Sequence, residues 1–190
     1  MSLKKAWRTG AAVFVIGAVL AATGASPASA TDDIITQGLG TGDLSATVNG
    51  TFPGAIYSTA AQDSLADLTL AAADNRGTRA GWTVSVLSSD FVYSGADGTG
   101  TDIPVSAFSI VSMTQGEVTK VTGQVVNATA ATGPNVGTTL GTLGLARTVL
   151  VATAAYGDGS YTVPLHAKLV LPAQARVGTY TATLTVTIVT

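Results

Sequence analysis

Cysteine is absent from the 190-residue sequence, histidine occurs once, and charged residues make up only 11% of it. The missing thiols exclude disulfides and thiolate metal sites, so stability rests on burying apolar area, which a chain of this length can do unaided. The lone His166 lies on a strand-like stretch and reads as a partly exposed sheet residue, because a general base also needs a positioned partner. No Gly-x-Ser-x-Gly elbow occurs, and scattered aspartates do not make a glycosidase pair without geometry. The expectation is therefore a protein that is not an enzyme and takes no cofactor or metal. Long apolar runs are missing too. The stretch Ala11 to Ala22 falls short of the ~20 residues a spanning helix needs.

Lys4, Lys5 and Arg8 precede that stretch, and Ser26-Pro27-Ala28-Ser29-Ala30 follows it. This arrangement reads as a signal peptide over residues 1–30, with an uncleaved anchor as the alternative. Cleavage after Ala30 leaves six Lys and Arg against eleven Asp and Glu, a formal charge of −5. Nucleic acid is thereby disfavoured as a partner, since phosphate binding needs clustered positive charge. No membrane span is expected after signal cleavage, because no second apolar segment of spanning length follows. Residues 31–42 are polar and Gly-rich and read as a flexible lead-in, leaving 43–190 as a single domain.

Within that domain the hydrophobic period is two. Leu44, Ala46 and Val48 alternate with polar residues up to Asn49-Gly50, and Ala66, Leu68, Leu70 and Ala72 share one side of a second strand, with a helix as the alternative given the Ala content and Thr69 and the following turn favouring the strand. A third begins at Trp82 and is expected to pair with the second across the turn at Asp74. Residues 91–102 read as the end of the Trp82 strand passing into a Gly-rich loop. Asp90, Asp97 and Asp102 raise the question of calcium there, but the spacing lacks the alternating ligands and closing Glu of an EF-hand, so a solvated loop is the preferred reading. Val105 to Ser112 carries apolar groups on both faces and suits a strand between two layers. Glu117 to Val126 is β-prone, and residues 127–144 read as a long loop at the domain's edge. Tyr156-Gly157-Asp158-Gly159 is a hairpin signal between Arg147–Ala155 and Ser160–Val170, while Pro164 and Pro172 argue for edges or bends. The run from Thr179 to Ile188 keeps one alternation and reads as a single long strand with a threonine face. Together these imply an all-β fold, an antiparallel sandwich of roughly eight to ten strands with almost no helix.

The densest local chemistry lies in Asp74-Asn75-Arg76-Gly77-Thr78-Arg79-Ala80-Gly81-Trp82. Asp74 and Asn75 can bond their own backbone, Gly77 and Gly81 can take positive φ, and Arg76 and Arg79 can clamp the turn through charge-assisted bonds. Trp82 reads as a core anchor, with an exposed ligand platform as the alternative. The pattern Asp-x-Arg-Gly-Thr-x-x-Gly-Trp resembles the proximal motif of the WxL-domain surface proteins of Gram-positive bacteria. Lys168 to Ile188 resembles the C-terminal end of that domain.

The resemblance implies a β-sandwich held non-covalently at the cell wall, with peptidoglycan or another wall polymer, and other surface proteins, as partners. It also implies a wall-binding role for Trp82 and Val84, supported by the turn residues Asp74, Arg76, Gly77 and Gly81. The proximal triplet carries Val84 where the family has Leu, and the distal Trp and Leu positions hold Val186 and Ile188. A Trp changed to Val loses amphipathic surface and an N–H donor, so weaker wall affinity is expected. No Leu-Pro-x-Thr-Gly signal follows the domain, consistent with non-covalent attachment. The implied localisation is secreted, at the cell surface or wall. The alternative is a structural or matrix subunit that assembles through sheet edges, motivated by the long uncharged C-terminal strand.

Overall fold

The structure, a computed structural model, describes residues 37–95, 98, 100–126 and 133–190. The signal peptide assigned to 1–30, most of the lead-in, Asp97 and the start of the 127–144 loop lie outside the described residues. The chain divides into two compact units, Met1–Gly38 and Leu39–Thr190. In the first, the Gln37 side-chain amide donates to the Gly38 carbonyl at 2.8 Å.

All the described strands belong to the second unit. In chain order they are β1 (Leu44–Asn49), β2 (Gln62–Asp74), β3 (Trp82–Ser88), β4 (Val92–Ser94), β5 (Phe108–Ser112), β6 (Thr119–Gly123), β7 (Asn135–Val136), β8 (Gly141–Thr142), β9 (Arg147–Ala152), β10 (Gly159–Leu171), β11 (Thr179–Thr181) and β12 (Leu184–Val189). Only two single-turn 3-10 helices, Val105–Ala107 and Gln115–Glu117, interrupt them among the described residues. The fold is all-β, as the period-2 pattern requires.

Two antiparallel sheets enclose the core. One runs β1-β2-β10-β5-β8 with β6 also paired to β10, the other runs β12-β3-β9-β7, and β4 with β11 forms a small ribbon. Leu68, Leu70 and Ala72 of β2 and Tyr161, Val163, Leu165 and Ala167 of β10 face Trp82, Val84 and Val86 of β3 and Leu150 and Ala152 of β9 in one buried cluster. Val149 and Leu150 are both buried although adjacent, because the β3–β9 register shifts between Val84 and Ser85 and leaves an extra residue on β9.

Several connections differ from the sequence expectation. The strand ending at Asp74 does not pair with the one starting at Trp82: β2 pairs with β1 and β10, and β3 with β12 and β9. Likewise Tyr156-Gly157-Asp158-Gly159 closes no hairpin, since β9 and β10 belong to different sheets. Both segments cross between the layers, because each flanking strand has one apolar face and the two faces meet across the core rather than side by side. The C-terminal run is broken into β11, paired with β4, and β12, paired with β3; between them Thr183 exchanges hydrogen bonds with Ser89 at 2.9 and 3.0 Å. The uninterrupted strand that motivated edge assembly is thus two short ones. Val105 to Ala107 is a 3-10 turn after Pro104, with the strand confined to β5, and Asn135–Val136 and Gly141–Thr142 add short strands within the expected loop.

Pro164 sits inside β10 rather than on an edge strand. On one flank it is opposite Thr69, and on the other it falls between the residues paired with β6, which end at Thr162, and those paired with β5, which begin at His166. A residue without an N–H is tolerated at that break in the ladder.

Candidate functional site

Asp74 ends the inward-facing row of β2, where a carboxylate without partners would be costly. Its side chain is fully buried, and Arg76 answers it twice, with Nε to Oδ1 and Nη2 to Oδ2, both at 2.8 Å. The Arg76 backbone N–H adds a third bond to Oδ1 at 3.1 Å, and Nη2 reaches on to the Gly81 carbonyl at 3.1 Å. The Arg76 guanidinium holds the Asp74 carboxyl below its ordinary range, with burial opposing, and Asp74 in turn raises Arg76. This fork spans the turn and fixes where β3 starts. Gly81 has φ 79°, and a Cβ there would come within 2.6 Å of the Ala152 carbonyl, so only glycine fits.

Trp82 then points into the core, only 2% exposed. Its indole N–H donates to the Gly157 carbonyl at 3.1 Å, and its ring lies 6.3 Å from that of Tyr161 at a 44° tilt. Gly157 is needed for the approach: a Cβ would sit 2.8 Å from the indole nitrogen and 2.3 Å from the Ala152 methyl. Around this contact the two crossings are tied further. The Ala155 N–H donates to the Arg79 carbonyl at 2.8 Å, and Arg79 Nε pairs with Asp158 at 2.8 Å on the surface. The Tyr161 hydroxyl reaches the Asp158 and Gln124 carbonyls at 2.8 and 3.1 Å, and burial pushes its phenol up. Register explains why these segments meet: Asp74 is opposite Gly159 and Trp82 is opposite Ala152, so both crossings leave the same end of the sandwich.

The remaining motif positions also face inward. Val84 is fully buried, and Val186 and Ile188 are half-buried against the core. Ile188 is opposite Val84 and Val186 opposite Val86 on the β12–β3 ladder, so the proximal and distal positions are cross-strand neighbours. Gly77 keeps φ 68° in open space. Side chains at 186 and 188 are engaged in packing. Of the suggested calcium ligands, Asp90 accepts the Val105 N–H at 2.7 Å and Asp102 the Tyr93 N–H at 2.8 Å. No group of three or more His, Cys, Asp and Glu able to hold a metal occurs among the described residues.

Residues 55–190 match the family described as WxL domain, surface cell wall-binding. The chain belongs to this WxL family. No match was found among curated proteins or among solved structures. Membership makes the chain a cell-surface, wall-associated protein. Among its described residues no helix is long and apolar enough to cross a membrane. In this WxL domain Trp82 joins two inter-sheet crossings and offers no ring face to solvent. Sequence reasoning found the Asp74–Trp82 half of that joint and missed the Gly157–Tyr161 half. The signal for it, Tyr-Gly-Asp-Gly, was present but fits an inter-sheet crossing as well as a hairpin.

His166 lies on the outer face of the first sheet. Its Nδ1 is 2.7 Å from Asp67 Oδ1 on the neighbouring β2, and its Nε2 is 3.2 Å from Glu117 Oε1. The two carboxylates raise its pKa, Asp67 more than Glu117. Because they face opposite ring nitrogens, the protonated ring donates to both and the trio clamps strands together.

Proposed function

We propose that the chain is exported through its N-terminal signal peptide and is held non-covalently at the wall of a Gram-positive cell by binding a wall polymer such as peptidoglycan. The match of residues 55–190 to a wall-binding family carries this reading. Within this reading the Trp82 joint shapes the domain, and an exposed surface elsewhere meets the polymer.

Fractionating the native cells into medium, wall and membrane tests it. The protein is expected in the wall fraction and should be released by denaturant without wall digestion. Recovery in the medium or membrane, or release only after enzymatic digestion of the wall, would overturn the reading. Assembly through sheet edges becomes the better account if the protein leaves the wall fraction and elutes as a large oligomer.

A further inference from the structure

The end of the sandwich opposite Trp82 carries a cleft of about 560 Å³, within the ~300–1,000 Å³ typical of ligand sites. Gln62 and Leu171, opposite one another at the far end of the β2–β10 ladder, line it. β2 runs thirteen residues from Gln62 at this end to Asp74, roughly 40 Å at the rise of a strand. One wall is the irregular segment 51–58, the other the turn 172–178.

Both walls are fastened from behind. Phe52 anchors the first through edge-to-face contacts with Phe91 and Phe108 at 6.4 and 5.6 Å. The Gln62 side chain donates to the Ile56 carbonyl at 2.9 Å, and the Gln174 N–H ties Ser58 to the opposite turn at 3.0 Å. That turn is held by the Tyr180 hydroxyl on the Arg176 carbonyl and the Tyr93 hydroxyl on the Val177 carbonyl, each at 3.0 Å. Apolar side chains nevertheless stand out at its rim: Ile56 is 86% exposed, Val177 77% and Tyr57 55%. A preformed cleft with an exposed apolar rim lowers the ordering cost of binding.

Its charge is one-sided. Arg176 is the only charged residue lining it, and the Arg176 guanidinium and the Tyr57 hydroxyl have no partner among the described residues. In a chain whose acids outnumber its bases, an arginine without a partner among the described residues, in a cleft that Tyr57 also lines, marks a place for an anion with apolar faces.

We propose that this cleft binds an anionic wall saccharide, with the Tyr57 ring against a sugar face and Arg176 on a carboxylate or phosphate substituent. The proposal rests on the wall-binding reading above. The test is sedimentation of the protein, purified from its own cells, with intact walls and with walls stripped of phosphate-linked polymers. Arg176→Gln and Tyr57→Ala should each lower the bound fraction about tenfold at unchanged melting temperature, and Lys120→Gln on β6, with the same charge loss, should bind like wild type. Wild-type binding to both preparations assigns a carboxylate that remains on the stripped wall; binding to intact walls alone assigns a phosphate polymer. If wild type binds and the folded Arg176 and Tyr57 variants bind equally well, or Lys120→Gln loses as much, the cleft is not the site although the wall reading stands. If wild type binds neither preparation, both fall.

Discussion

At the residue scale, Trp82 and Asp74 are inward groups whose polar atoms are satisfied by the opposite crossing or by the turn itself. Trp82→Ala removes the largest side chain of the joint and should cost about 3–5 kcal/mol, measured by denaturant unfolding. Gly81→Val adds strain at positive φ and a clash with the Ala152 carbonyl; a loss of about 1–3 kcal/mol is expected. Asp74 has its pKa lowered in the folded state, so its stabilisation is present above the ordinary value of 3.8 and is lost as pH falls through the lower folded value. Asp74→Asn should therefore destabilise the protein at neutral pH, by about 1.5–3 kcal/mol, and should flatten the acid limb of its stability profile. An unchanged acid limb would show that the Arg76 fork contributes nothing.

At the element scale, the outer face of the first sheet carries the His166 clasp between β2, β10 and the Gln115–Glu117 turn. The charged groups meeting the ring are Asp67 and Glu117; Lys168, on the same strand, is paired with Asp63 at 3.3 Å, and β5 places the uncharged Ser112 opposite His166. A neutral imidazole has one N–H and can serve only one of two carboxylates. Since the folded pKa is raised above 6.5, the clasp's stabilisation is full below that value and is lost as pH rises through the folded one. His166→Gln should remove this alkaline decline, an effect of at most about 1 kcal/mol for so exposed a group; a wild-type melting temperature flat between pH 5 and pH 8 would contradict it.

Most strands were legible because alternation records one buried face: β1 and β3 begin where the pattern starts, and Ala66, Leu68, Leu70 and Ala72 do share the inner face of β2. Partners were not legible. A strand with one apolar face is equally satisfied by a neighbour in its sheet or by a facing layer, so the turns at Asp74 and Tyr156 looked like hairpins. The break at Ala182 and Thr183 was invisible for a related reason: alternation continues through it, and only the Ser89 partner, far off in sequence, interrupts the strand. The cleft left no signal, because its walls come from irregular segments more than a hundred residues apart.

At the scale of the whole molecule, one end holds Trp82 inside a joint between sheets and the other opens a cleft. Attachment to the wall and the integrity of the Trp82 joint are then separable properties. The measurement that tests this most directly is wall sedimentation of Trp82→Phe beside wild type, at a temperature where circular dichroism shows both folded. Trp82→Phe loses the indole bond to Gly157 and should melt lower while sedimenting with walls as wild type does. A Trp82→Phe protein that melts like wild type but no longer sediments would place the ring against the polymer and contradict the account.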